Sequence, residues 1–433
     1  FYSYGGPNAW RTFFEEHDIH RGGCHSVGLR VATVKHGDIE CHHSLAPMTA
    51  FGVSTFAGFR SDTDRQIDSR SEYLEVTLGE REGIFGGNDA LNHVLDRLAE
   101  ADERPELVTL EPTCISLVIG DDMEVAADRA RRLHGLDVAP LGCVDNPFRD
   151  ALDALLGRVT RAPAPQQVQF LGIPRMAGFA AFARLLGESG LVVPEPIVPD
   201  LPADLVASLG GASLLVALPL AGSRGQVAAL CAQFPDAVVI EPPAPVGLKM
   251  SYACAVAIGD ALGVRDAVET AWVRRSASIG AEYDELHARA SQYAVGFVVD
   301  APSWRERLSS RLGVSMLELV LDLGFAADVL VYAPDGSDVA RSEDARVRVL
   351  TYTSRTELAD AMRGSRSALF YSELRYDERV TRSGRAQFSL EDVACGLDGA
   401  LDMLRRLVPR CETPWFRRYG AIAGDMFRPT GAI

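Results

Sequence analysis

The sequence lacks the fingerprints by which nucleotide-handling and hydrolytic chains are usually read. There is no G-x-G-x-x-G at a strand-to-helix turn and no G-x-x-x-x-G-K-[ST], so dinucleotides and nucleoside triphosphates have no ready phosphate cradle. The G-x-S-x-G elbow, the H-E-x-x-H zinc motif and any C-x-x-C pair are missing as well. No run of five like charges occurs, and the longest apolar runs, 213–221 and 237–246, are too short and too broken by Pro or Gly to cross a bilayer. Low-complexity tracts and internal repeats are absent too.

What is present is a long, ordinary globular composition. The chain has 433 residues, 47% apolar and 24% charged, which suits about three domains and excludes a small disulfide-held module. Lys and Arg number 43 against 59 Asp and Glu, a net charge of −16, so sequence-independent nucleic-acid binding is not expected. Eight cysteines at 24, 41, 114, 143, 231, 254, 395 and 411 form no disulfide framework. A cytoplasmic protein with thiols available for metal is the better reading. The chain opens at Phe1 without Met, so a short leader is expected to be missing from this numbering.

From about Gln166 onward, short β-branched runs alternate with helical periodicity, the grammar of βαβ units. Gln167–Ile173, Leu214–Leu218 and Ala237–Ile240 read as strands, with a helix carrying Phe179, Phe182, Leu185 and Leu186 and another around Gln226–Phe234. The pattern restarts at Tyr293–Val299 and runs through a long helix predicted over Trp304–Leu323. Strands follow at Asp328–Tyr332, Val347–Tyr352 and Ala368–Tyr371, and a closing helix carries Val393, Leu397, Leu401, Leu404 and Val408. In the less regular first part, Glu106–Glu111 and Asp137–Leu141 read as strands around a helix over Met123–Leu133. The expected fold class is α/β: three Rossmann-like domains with mostly parallel sheets, at 1–165, 166–290 and 291–433. The Pro-rich 161–165 and the polar helix Ala267–Ser291 serve as connections.

The segment most informative about chemistry is Leu107-Val-Thr-Leu-Glu-Pro-Thr-Cys114, followed by Val118-Ile-Gly-Asp-Asp122. A strand running into Thr-Cys puts a thiol at the carboxyl end of a sheet, where open α/β sheets hold ligands. Against this, an isolated Cys usually just packs in a core. Cys41-His42-His43 is compositionally a metal cluster, but adjacent residues do not face one ion comfortably. Cys143 sits at a second strand end. Cys231, Cys254 and Cys395 fall on apolar helical faces and Cys411 follows Pro409, so core or surface thiols are expected there.

Thr113-Cys114 with Val118 to Asp122 resembles the "TCxxxxIGDD" element of component 1 of nitrogenase and its relatives, which include protochlorophyllide, chlorophyllide and methylthio-alkane reductases. Ile84-Phe85-Gly86-Gly87 is similar to that family's "VFGG" element. Gly23-Cys24 stands where the family has the first ligand of an interface cluster, and Pro245-Val-Gly247 resembles the β-type subunit more than the α-type. The resemblance implies an ATP-dependent two-component reductase in the cytoplasm. A separate iron protein handles ATP and passes electrons to an iron–sulfur cluster shared with a homologous α-type subunit in a heterotetramer. The small-molecule substrate site lies in, or is shared with, that partner.

It further implies Cys24 and Cys114 as cluster ligands. The family's middle cysteine, expected near 47–50, is missing, and Cys41 is the nearby thiol that would replace it. The altered set leaves either a [4Fe–4S] cluster, which it favours, or a P-cluster-like [8Fe–7S] one. The second half has a single histidine, His287, on a polar helix, so the Cys and His pair that holds the family's active-site cofactor has no counterpart there. Two other classes stay open: an iron–sulfur assembly scaffold of the same fold, and a non-redox Rossmann-type transferase or binding protein.

Overall fold

The computed structural model describes residues 31–38, 72–140, 159, 164, 166–173, 176–197, 209–218, 224–306, 308, 312–334, 339–372, 377–413 and 418–419. Three parallel sheets follow one another along the chain. The first is built from β1 (Val31–Asp38), β2 (Glu72–Leu78), β3 (Leu107–Pro112) and β4 (Val138–Pro140), in the order β2-β1-β3-β4. Parallel pairing needs crossovers. They are α1 (Glu80–Phe85) and α2 (Asn88–Glu100) between β2 and β3, then α3 (Cys114–Val118) and α4 (Met123–His134) between β3 and β4.

The local sequence explains these elements. In β1, Ala32, Val34 and His36 alternate on one face and all are buried, as expected of a central strand. Leu91, Leu95 and Leu98 form the buried stripe of α2, and each such leucine contributes roughly 1.5–3 kcal/mol by leaving water. Asp122 caps α4 by accepting from the Val125 amide at 3.0 Å, and Gly135 ends it in the left-handed conformation at φ 59°. Strands β1 and β2 are not among the elements expected from the sequence, whereas β3, α4 and β4 are.

The second sheet has β5 (Val168–Leu171), β6 (Leu214–Ala217) and β7 (Val238–Ile240) in chain order, with α5 (Phe179–Gly187) and α6 (Arg224–Gln233) between them. Two long helices follow, α7 (Leu248–Leu262) and α8 (Arg265–Ala290). The third sheet, β10-β9-β8-β11-β12, has the 3-2-1-4-5 order of a Rossmann unit. Its strands are β8 (Ala294–Asp300), β9 (Ala326–Tyr332), β10 (Val347–Tyr352), β11 (Ser367–Tyr371) and β12 (Ala386–Phe388). Its helices are α9 (Ala301–Arg305), α10 (Met316–Asp322), α11 (Arg355–Gly364), α12 (Glu378–Arg382) and the closing α13 (Gly396–Glu412).

Two expectations need correcting here. The helix predicted over Trp304–Leu323 is two short helices, α9 and α10. Leu308 at φ 58° and Gly313 at φ 68° cannot continue a right-handed helix, and Ser315 restarts one by accepting from the Glu318 amide at 3.2 Å. Val393 and Cys395 precede α13 instead of lying in it; Cys395 is its N-cap residue. The second and third sheets share one continuous core, from Phe170 and Val216 to Phe297 and Leu404, while the first sheet packs its own around Val34, Leu95 and Ala127.

Candidate functional site

The carboxyl edge of the first sheet gathers the residues singled out by sequence. Cys114 opens α3, two residues beyond the end of β3, and Thr113 caps the turn. β1 lies beside β3 in parallel register, His36 opposite Pro112, and the Thr113 amide donates to the His36 carbonyl at 3.0 Å. The turn carrying Cys114 is therefore stitched to the end of β1. It is closed internally by Ser116, whose Oγ accepts from the Thr113 amide and donates to the Thr113 carbonyl, both at 2.9 Å. Cys24, Cys41 and the 47–50 segment lie outside the described residues, as does Cys143.

Beneath this turn sits a polar cluster that sequence reading did not assemble. Asp121 Oδ2 accepts from His36 Nε2 at 2.7 Å, and the Gly87 amide donates to Asp121 Oδ1 and Oδ2 at 2.8 and 3.0 Å. The His36 side chain is fully buried and that of Asp121 is 1% exposed. A carboxylate offers only acceptors, so His36 Nε2 carries the proton and Nδ1 is left without a partner among the described residues. Thr113 Oγ1 is a second buried atom without one. Glycine at 87 is dictated by space: a Cβ there would overlap Leu78 and stand 2.8 Å from both Asp121 Oδ2 and His36 Cε1. Asp121 belongs to the quoted motif, but His36 was not singled out; a histidine-glycine pair closing an apolar alternation was the available signal.

The rim of the same edge is apolar. Ile84 and Phe85, at the end of α1, are 75% and 81% exposed; Leu117 and Val118, at the end of α3, are 44% and 85% exposed. The bonds from Gly87 to Asp121 bring these two turns together. Patches of this kind mark surfaces that meet another macromolecule.

The other described thiols differ. Cys254 is fully buried in α7, and burial raises its pKa; burial likewise raises that of Cys231 and pushes that of Cys411 up to about 12. Such thiols stay protonated and make poor ligands. Cys395 is buried as well. This agrees with the reading of these four as packing residues. Among the described residues no three His, Cys, Asp or Glu side chains converge on a metal position, and no helix is long and apolar enough to cross a membrane.

The sequence family of nitrogenase component 1 type oxidoreductases matches residues 30–384. The chain belongs to that family. Similar curated relatives are the nitrogenase iron-molybdenum cofactor biosynthesis protein NifE of Clostridium pasteurianum, 31% identical over 114 residues, and the nitrogenase molybdenum-iron protein alpha chain of Methanosarcina barkeri, 34% identical over 77 residues. These matches cover 24% and 18% of this chain and 25% and 14% of the relatives, so the similarity spans a quarter or less of each relative's length. The solved structure "Nitrogenase Cp1 at pH 5" aligns over 93% of this chain and 87% of its own, with a TM-score of 0.64 at 14% identity. The three-sheet architecture is thus the nitrogenase component 1 fold, and the resemblance drawn from Cys114, Gly86-Gly87 and the Asp121-Asp122 pair holds at the level of family.

The first sheet's carboxyl edge thus has a cysteine-bearing turn at a strand end, and beneath it two buried polar atoms, His36 Nδ1 and Thr113 Oγ1, without a partner among the described residues.

Proposed function

We propose that this chain is the β-type subunit of a nitrogenase-like, ATP-dependent two-component reductase, holding an interface iron–sulfur cluster through Cys114, Cys41 and Cys24 together with an α-type partner. The observation that carries this is the pairing of β1 with β3. Cys114 follows β3 by two residues and Cys41 follows β1 by three in the sequence, and these two strands end at the same sheet edge. Cys24 precedes β1 by seven residues in the sequence. Cys41 therefore replaces the family's middle cysteine more easily than a Met or Thr of the 47–50 segment, which are poorer iron ligands.

When bound, a thiolate-held cluster of this kind supplies one-electron transfer. The chain's own residues supply the thiolates, shape the turn and present the apolar rim to the partner. An ATP-hydrolysing iron protein as a separate component accords with the missing P-loop. Dinitrogen, a tetrapyrrole and an organic sulfur compound, as in methylthio-alkane reductase, are the substrate classes to screen in the cytoplasmic complex.

The test is anaerobic purification of the complex with single substitutions. Cys114→Ala and Cys41→Ser should each lower the iron content at least twofold and abolish the reduced-state paramagnetic signal, with Met48→Leu unaffected. Cys24→Ala should do the same if the chain supplies three ligands. Full iron and signal in Cys114→Ala would sink the assignment. A second reading, a cofactor-assembly scaffold of the same fold, is favoured by the similarity to two NifE proteins, 31% and 27% identical. ATP-dependent turnover of a small molecule supports the reductase, whereas release of an iron–sulfur precursor to an acceptor without turnover supports the scaffold.

A further inference from the structure

We propose that strand β7, the open edge of the second sheet, is a docking site for an extended basic segment of a partner protein, which pairs with it as a fourth strand. The surface lies on a different sheet from the Cys114 turn and stands whether or not that turn holds a cluster.

The two edges of this sheet differ. Along β5 the chain itself closes the edge: the Val168 amide donates to the Val192 carbonyl at 2.8 Å, the Ile197 amide to the Phe170 carbonyl at 2.9 Å and the Gly172 amide to the Ile197 carbonyl at 3.1 Å. Beyond β7 there is no further strand among the described residues. Val238 is in register with Leu214 of β6, and its amide donates inward to the Ser213 carbonyl at 3.1 Å. Backbone direction alternates along a strand, so Val239 turns its amide and carbonyl to the open side. Among the described strands, β7 alone carries large exposed apolar side chains, Val238 at 49% and Val239 at 42%. Outward backbone groups between β-branched side chains are what an added strand reads. Main-chain bonds supply the attraction, and alternate side chains supply the selectivity.

Charge selects the occupant. Asp236 and Glu241 bracket the strand and both are exposed. Helix α7 packs against β7, and its one cation, Lys249, lies 4.0 Å from Asp322 Oδ1. A second copy of β7 is a poor partner, because antiparallel self-pairing about Val239 brings Asp236 of one copy beside Glu241 of the other, and like charges across a strand pair are destabilising. A segment with β-branched residues between Lys or Arg instead sets a cation against each carboxylate, and the net charge of −16 steers it inward. Pro235 and Pro242, which offer no amide, bound the docking stretch at residues 236–241. The same carboxylates keep the free edge from pairing with itself.

The experiment uses the full chain and fluorescently labelled probe peptides, with binding read by anisotropy in low salt. A peptide of alternating Val and Thr with Lys at each end should bind at least tenfold more tightly than the same peptide ending in Glu, and 1 M NaCl should erase most of that difference. Placing Pro at the centre of the Lys-ended peptide, which removes a ladder donor, should weaken binding at least tenfold. In the chain, Val239→Pro removes the outward amide, a change that an edge strand tolerates, and should weaken binding of the Lys-ended peptide equally, whereas Val239→Thr should bind it as the parent does. Asp236→Lys combined with Glu241→Lys should reverse the preference in favour of the Glu-ended peptide. Where Val239→Pro fails to fold, the Pro-bearing peptide and the charge reversal carry the test. Equal binding of the Lys-ended peptide with and without its central Pro overturns strand addition, and equal binding of the Lys- and Glu-ended peptides overturns the basic partner. Absence of binding by every probe overturns the site. Concentration-dependent dimerisation of the parent that is lost in Val239→Pro would assign the edge to a second copy and overturn the basic partner as well.

Discussion

Asp96 shows how single side chains bind α2 to α4 behind the sheet edge. Its carboxylate accepts two bonds from Arg129, at 2.7 and 2.9 Å, and one from His134 Nε2 at 2.7 Å. The Arg129 hydrogen bonds, with help from His134, lower the Asp96 pKa to about 2. Unfolded, the carboxyl binds its proton near pH 4. The unfolded state therefore holds more protons in between, so the stabilisation is complete above about pH 4 and is lost as pH falls through about 2. Asp96→Asn should lower the urea midpoint at pH 6, and the gap from the parent should close progressively between pH 4 and pH 2. A constant gap across that range would show that packing alone is responsible. At this scale the sequence was legible only where residues were close along the chain. Cys114 and Asp121 share a motif, but His36 meets Asp121 across 85 residues, and nothing local announces that pairing.

Among the elements, α8 and α13 carry a regular device. Arg275 pairs with Asp398, Glu282 with Arg405 at 2.6 Å, and Arg289 with Glu412 at 2.7 Å. Each helix steps by seven residues and every pair has the same sequence offset, so the helices run parallel in heptad register. Trp272, Ile279 and Leu286 of α8, and Leu397 and Leu404 of α13, are buried at the same seven-residue spacing. Sliding either helix by one heptad would set Arg275 against Arg405 and Glu282 against Glu412, or Glu282 against Asp398 and Arg289 against Arg405. Both slips create like-charge pairs. Exposed pairs of this kind add little stability singly, yet the alternation of sign selects the register. Glu282→Arg should lower the melting temperature in low salt, Arg405→Glu added to it should restore most of the loss, and 1 M NaCl should shrink both effects. The apolar stripes of both helices were readable from periodicity, whereas the ladder depends on a contact between distant segments. The break between α9 and α10 was missed because the apolar pattern continues across it; Gly313 and the Ser315-x-x-Glu318 sequence were the overlooked signals.

For the whole molecule, alternating strands and helices made the α/β class and the three sheets legible, because each βαβ unit announces itself through hydrophobic periodicity. The function was not equally legible, since the proposed role depends on surfaces that would gain meaning only against another chain. The rim of Ile84, Phe85, Leu117 and Val118 is where that dependence is concentrated. Four large apolar side chains stand in water close together beside the Cys114 turn, whereas most of the described apolar residues are buried in hydrophobic cores. Covering them would remove apolar area at about 25 cal/mol per Å², and a cluster bridging two subunits would be shielded by the same contact. Phe85→Asp and Val118→Asp place a charge on that rim without touching the buried His36–Asp121 pair, so the isolated chain should keep its circular dichroism spectrum and melting temperature. In the native host, tagged parent chain should bring down a homologous subunit in equal amount, and either variant should lower that yield at least tenfold. Undiminished recovery of the partner with both variants would move the subunit interface away from this edge.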